Sequence, residues 1–509
     1  MKERNAMKTI GTALITAIAI VAIGAASTAA VAQNELRIGR TTDVLSLDAG
    51  AMADTLSEWA IIDSIYSGLV TFIEGSWKVG PDLAESWEVS DDGLAITFKL
   101  REGVQFHKGY GEVTAEDVKF SFERIIDPAL EAAYAVKWEA LDHVEVVDKY
   151  TARIHLKELY APLFAATLAY SAGQIVSKKA VEEMGREEFS RNPIGSGPYE
   201  FVEWVPNDHV TLKRFDGYSG DRPSVDKVTF VPITDVSTVE AALKAGELDI
   251  GRINLINVKQ HEANSDLNVV IVPGTRYYWL PLNHSRPPFD NILLRKAFRS
   301  ALDVDEILIA MFDGRAERSD SNFLPSVLGY WGAPLFQQDI PAAKALLAEA
   351  GYPDGFEMEI VSISDNIYVS GSEVMQAQLA EAGIKAKIIV VESAAATDLS
   401  LAGKYDTRIA NWTAVSDPHI YVTYYKTGEK WNYPHWSNSE FDNAVNAGGV
   451  ETNQKARADY YTKAQQIWDA EIAGVPLTHG INAMASRQGV DLGTLYPGGE
   501  LAIWTMSKN

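Results

Sequence analysis

The sequence predicts a mixed α/β fold, on three observations. Short segments with apolar residues at every second position alternate with segments of helical period along most of the chain. The 509 residues, 47% hydrophobic and 22% charged, have an ordinary globular composition and room for roughly two or three domains. No repeat with the roughly 20–50-residue period of solenoid proteins and no low-complexity linker interrupts the alternation.

In chain order, Asp91-Asp92-Gly93 supplies a turn, and Leu94, Ile96, Phe98 and Leu100 after it alternate as a half-buried strand. Thr114-Ala115-Glu116-Asp117 reads as a helix start, with a Thr cap and acids in the first turn facing the positive end of the helix. Val118, Phe122, Ile125 and Ile126 form its apolar face, and Asp127-Pro128 ends it. The uncharged stretch Leu159 to Val176 contains Pro162, Gly173 and Gln174, so it predicts a buried helix and loop instead of a membrane span. Val239, Ala242 and Leu243 mark a helix closed by Gly246, and a second helix opens at Pro341 and is capped by Gly351. Phe356, Met358 and Ile360 alternate as a strand, a helix spans Val374 to Ala382, and the apolar run Ile384 to Val391 predicts a buried strand. That β–α–β order implies a right-handed crossover.

Charge and composition exclude several function classes. Lys and Arg number 45 against 69 Asp and Glu, a net −24, so no basic footprint for nucleic acid is expected. With no cysteine there is no disulfide, thiolate metal site or Cys nucleophile. Lys2, Arg4 and Lys8 precede an uncharged stretch from Thr9 to Ala32 that ends in Ala30-Val31-Ala32. This predicts a signal peptide, residues 1–32, cleaved after Ala32, and an exported, soluble mature chain from Gln33. The mature chain holds 42 basic and 68 acidic residues, a net −26.

Familiar catalytic patterns are absent. There is no phosphate-cradling GxxxxGK[ST] and no GxGxxG after a strand, and Gly195-Ser196-Gly197 lacks the spacing of a nucleophile elbow. His261-Glu262 begins like a zinc-protease helix, but Ser265 stands where the second His is needed. The nine histidines are scattered, so neither a metal nor a cofactor is expected. Asp and Glu are abundant enough that a glycosidase-type carboxylate pair stays open.

A succession of landmarks carries a resemblance. Gly68-Leu69-Val70, Pro81-Asp82-Leu83-Ala84-Glu85-Ser86-Trp87 and Phe98-Lys99-Leu100-Arg101-Glu102-Gly103-Val104 are followed by Thr114-Ala115-Glu116-Asp117-Val118. Then come Pro193-Ile194-Gly195-Ser196-Gly197-Pro198-Tyr199, Ala242-Leu243-Lys244-Ala245-Gly246-Glu247-Leu248-Asp249, Asn283 with Pro287-Pro288-Phe289, and Trp412 with Asp417-Pro418. In this order they resemble the family 5 extracellular solute-binding proteins of ABC importers, the peptide, nickel and opine type. Most of the landmarks are scaffold: turns, caps and a rigid Gly-Pro bend.

The resemblance implies a two-lobed periplasmic binding protein, type II-like, with an extra domain inserted in the first lobe and a hinged ligand cleft. Lobe one is expected over residues 34–72, 190–275 and 481–509, the inserted domain over 73–189, and lobe two over 276–480. It implies a binding protein instead of an enzyme, a monomer that delivers a small-molecule or peptide ligand to ABC permease membrane subunits. Asp417 either pairs with a ligand ammonium or organises the Asp-Pro turn. Trp412 either lines the pocket or packs in lobe two, within a run of seven aromatics ending at Trp436. Asp54, Thr55 and Trp59 are candidates from lobe one, Asp54 being equally suited to cap a helix. Arg276, Tyr278, Trp279 and Asn283 lie by the first crossover, and strand alternation forbids Tyr278 and Trp279 from both facing the cleft. Dipeptide-binding relatives carry an Arg soon after the strand ending here near Val361, but this chain has Ser362-Ile363-Ser364-Asp365. An amine-bearing solute without that carboxylate clasp, an opine-like conjugate or a longer peptide is therefore expected. A secreted carboxylate hydrolase and a periplasmic chaperone or receptor accessory are the alternatives.

Overall fold

Local sequence signals and long-range pairing together build three main sheets. The computed structural model describes residues 34–50, 56–413 and 416–509. Thr114 and Asp117 close a capping box on the helix Ala115–Ile126, which ends at Asp127 as the pyrrolidine of Pro128 requires. That helix buries Val118, Phe122 and Ile125. It packs on a four-stranded antiparallel sheet ordered Ala84–Val89, Ala95–Leu100, Thr151–Leu156, Leu141–Asp148. Leu159 to Val176 forms short helical turns at Leu163–Leu168 and Ser171–Gly173 and is mostly buried. No helix among the described residues is long and apolar enough to cross a membrane.

An eight-stranded mixed sheet organises the rest. Glu35–Arg40 lies parallel to Lys227–Pro232 and to Ile250–Ile253, and the hairpin Tyr199–Val205 and His209–Arg214 extends one side. On the other side run two long antiparallel strands, Leu267–Pro281 and Gly474–Arg487, followed by Ala410–Thr413 at the edge. The long strands pair on both sides of a register break: Pro273 opposes Ile481, but Tyr277 opposes His479. At this bulge the backbones come so close that a Cβ on Gly274 would lie 2.7 Å from the Gly480 carbonyl oxygen.

Beyond the break, a parallel sheet of Lys385–Val391, Glu357–Ile363 and Thr407–Arg408 is flanked by the helices Ile292–Ser300, Val304–Phe312, Ile340–Glu349 and Asn366–Glu381. Glu357–Ile363, the helix Asn366–Glu381 and Lys385–Val391 are the anticipated β–α–β unit, though Asp365 caps the helix well before Val374. The Ile384 to Val391 run is not the buried strand its apolar character suggested. It pairs on one side only, and Val390 is 52% exposed. An edge position leaves one flank unpaired whatever the hydrophobicity. Residues 34–509 form one compact unit.

Candidate functional site

The two long strands place their side chains by parity. Arg276 and Tyr278 face one side with Thr413 and Asn411 opposite them, while Tyr277 and Trp279 face the other with Trp412 and Ala410 opposite. Tyr278 packs edge-on against Phe312 and beside Tyr368, whose hydroxyl accepts a 2.7 Å hydrogen bond from Asn411 Nδ2. Trp279 is fully buried between Tyr425 and Trp468. Of the two neighbours, Trp279 is therefore a core residue without ligand-accessible surface.

Asn283 is also structural. Its amide nitrogen donates to the carbonyls of Gly403 and Tyr405 at 3.0 and 2.8 Å, and its oxygen accepts from Ser285. Those bonds consume the side chain and fix the loop that follows the long strand. Trp59 is buried against Tyr170 and Tyr496. Asp54 and Thr55 lie outside the described residues, as does the signal segment.

Asp417 departs most from the ligand-pairing reading. Its carboxylate is 1% exposed and grips Arg457 with two bonds, Nη1 to Oδ2 at 2.7 Å and Nη2 to Oδ1 at 2.8 Å. Oδ1 also accepts from the His419 amide at 2.9 Å, closing the turn that Pro418 enters. Arg457 spends its Nε on the Gly448 carbonyl and shares Nη2 with the Tyr461 hydroxyl. A bidentate carboxylate–guanidinium pair this deeply buried has its charge compensated by Arg457 and presents no accessible oxygen to a ligand ammonium. The preceding residues, Thr413-Ala414-Val415-Ser416, contain no ionisable side chain that replaces it.

The aromatic run divides by burial. Tyr421, Tyr425, Tyr433 and Trp436 are in the core, whereas Trp412, Tyr424 and Trp431 are half-buried. Trp412 stacks on Tyr433 with ring centres 4.8 Å apart and touches Tyr424 and Trp431. These three present an aromatic surface beside Thr413, which is exposed.

Sequence spacing does not join Arg252 to Arg276, which the sheet brings near each other at the strand crossing. Arg252 and Arg276 are exposed, and Arg252 donates to Asn482 Oδ1. Partial desolvation by the surrounding protein lowers the Arg252 pKa, and the like charge of Arg276 lowers it further. Arg408 is buried opposite Val361, its guanidinium 4.8 Å from the centre of the Tyr433 ring. Arg252 and Arg276 are single residues on different strands, so no run of charge signalled them, and only the sheet brings them near each other.

A cavity of about 240 Å3 opens beside the crossing, its floor made by Ile38, Phe230 and Val272 and its polar rim by Arg252, Asn482 and Glu500. Burial pushes the Glu500 carboxyl up to about 7. A larger cavity of about 450 Å3 lies away from it, with Asp63, Glu74, Asp82 and Asp221 among its lining. Among the described residues, no group of three or more His, Asp or Glu side chains is placed to hold a metal ion.

Comparisons with known proteins agree with this geometry. Residues 78–433 match the model of the bacterial extracellular solute-binding proteins, family 5. The chain is 30% identical over 450 residues to heme-binding protein A of Haemophilus influenzae, covering 82% of each chain. It is also 30% identical to an Escherichia coli glutathione-binding protein over 90% of this chain and 92% of that one. Among solved structures, HbpA2 from Haemophilus parasuis superposes with a TM-score of 0.85 at 28% identity, covering 94% of this chain and all of that one. The family model over residues 78–433 and the 30% identity to a relative across 82% of the chain make the chain a member of the family 5 extracellular solute-binding proteins.

Proposed function

We propose that the mature protein is a periplasmic solute-binding protein. It closes two lobes around a peptide-like solute and hands that solute, unaltered, to the membrane subunits of an ABC importer. The observation that carries this reading is the pair of long strands, which pair on both sides of the Gly274–Gly480 bulge. A two-strand connection with a register break is a hinge: the ladders on either side stay rigid while a few residues take up the rotation. In this reading one lobe comprises 34–72, 190–275 and 481–509, the other 276–480, and 73–189 is the inserted domain, a division supported by the register break falling between Pro273 and Tyr277. Glutathione, which one of the relatives is named for binding, is a peptide of the size such a cleft encloses.

Tyr278 and the half-buried surface of Trp412 supply apolar and aromatic contact in this reading, and Asp417 shapes the loop that carries Thr413. A solute shifts the lobes toward closure only by the contacts it gains in the closed form. The test is a thermal-shift screen of the mature protein, beginning at Gln33, against peptides, opine-like conjugates and oligosaccharides, paired with small-angle scattering. A ligand at about 100 times its Kd stabilises by about 2.7 kcal/mol, and the radius of gyration falls on binding. No stabilisation by any of these classes, an unchanged scattering curve at saturation, or recovery of the solute as a cleaved product overturns the proposal.

A further inference from the structure

We propose that the inserted domain latches the closed form: its segment 160–170 bonds across to lobe two at Ser416 and Gly449. This rests on the solute-binding reading above and on its division into lobes. Three hydrogen bonds cross the seam. Ser416 Oγ donates to the Ala165 carbonyl at 2.6 Å, and the Ser416 amide donates to the Tyr170 hydroxyl at 3.3 Å. The Ala161 amide donates to the Gly449 carbonyl at 2.9 Å. A serine in a loop commonly spends its hydroxyl on its own turn. Ser416, only 5% exposed, spends both its donors on the other body. Rotation about the Gly274–Gly480 bulge carries lobe two away from the inserted domain, so these bonds break on opening.

Each half of the latch is held rigidly on its own body. Tyr170 is buried against Trp59 and Phe72 of lobe one and Trp77 of the inserted domain, with ring centres between 5.1 and 6.3 Å away. Ser416 precedes Asp417, which Arg457 clamps to the helix Gln454–Ala470. The Nε of the same arginine holds the Gly448 carbonyl, next to Gly449. The buried ion pair therefore presents both lobe-two partners to the inserted domain. The seam itself is not filled like a core. Between residues 90–93 with Leu159 on one side and residues 450–452 on the other it leaves a crevice of about 270 Å3. The faces meet at a few bonded points and part without disrupting close-packed side chains. Bonds made only in the closed form favour closure over any solute, so the latch raises apparent affinity without adding selectivity.

The experiment needs no solute. The chain has no cysteine, so spin labels on Val147→Cys in the inserted domain and Val390→Cys in lobe two report the distance between the bodies by pulsed dipolar resonance. Both positions are exposed, at 43% and 52%. Two populations are expected in the mature protein, one at the distance of this structure and one displaced from it. Ser416→Ala and Tyr170→Phe each remove one bond of the latch, and Tyr170→Phe keeps the ring packed. Each is expected to raise the displaced-to-matching ratio by about two- to tenfold, the scale of one neutral hydrogen bond. Thr167→Val removes a bond from the same segment to the Lys137 carbonyl, within the inserted domain, and is expected to leave the ratio within about twofold. An unchanged ratio in Ser416→Ala and Tyr170→Phe, or an equal rise in Thr167→Val, overturns the latch while the two distances leave the hinge standing. One fixed distance in every protein overturns the latch and the two-lobed closure together.

Discussion

Removing one partner of the Asp417–Arg457 pair separates a structural from a ligand-binding role for the acid. The pair is buried on both sides, with side chains 2% and 3% exposed. It joins the loop after Trp412 to the helix Gln454–Ala470 and, through Arg457 Nε, to the end of the helix Ser439–Val450. Asp417→Ala strands the guanidinium in a site with only a carbonyl and a phenol for company, and breaking a buried pair in this way costs about 3–5 kcal/mol. Arg457→Met strands the carboxylate at a similar cost. The double variant, Asp417→Ala with Arg457→Met, leaves no uncompensated charge and should recover much of that loss, giving a coupling energy well above the ~0.5 kcal/mol expected of independent sites. Urea unfolding followed by tryptophan fluorescence measures all four proteins, and calorimetry measures solute affinity in Asp417→Asn, which keeps the acceptor for the His419 amide. If Asp417→Asn is as stable as the parent but loses its solute, the acid faces the ligand and the packing account is wrong.

Two further outcomes follow from the same coordinates. Gly195→Ala would place a Cβ 2.1 Å from the Ile65 carbonyl oxygen, a backbone atom that cannot step aside. The expected loss is about 3 kcal/mol or more in a denaturation curve, whereas Gly351→Ala, with open space around it, loses only the ~1–2 kcal/mol of a left-handed conformation. The second concerns acid. Burial lowers the pKa values of His107, His419 and His479 to about 4 and of His284 to about 3. These folded-state values lie below the unfolded value of about 6.5, so the unfolded chain takes up the protons first and stability falls as pH drops from about 6.5 toward 4. Each histidine fully inside that window contributes up to about 1.4 kcal/mol per pH unit. Melting temperatures between pH 7.5 and 4.5 check this. His107→Gln, which retains a donor for the Gly197 carbonyl, should flatten the slope, and an unchanged slope refutes the assignment.

What the amino-acid sequence determined by itself was everything settled within a few residues. The Thr114 cap, the Asp127-Pro128 stop, the Gly246 helix end and the alternation of Leu94 to Leu100 were all legible, because a cap or a pleat is decided by neighbours one to four positions away. The order of such local landmarks also carried the family. Tertiary structure alone decided what those landmarks do for the site. Asp417 resembled a free acid until Arg457, 40 residues on, took both its oxygens. Trp59, Trp279 and Asn283 resembled cleft residues until packing closed over them, and the apolar run to Val391 resembled a buried strand until its flank went unpaired. Arg252 and Arg276, each isolated in sequence, come near each other only because strands far apart in the chain share a sheet. Partner choice over such separations depends on register and burial, which emerge only when the whole chain has found its pairing.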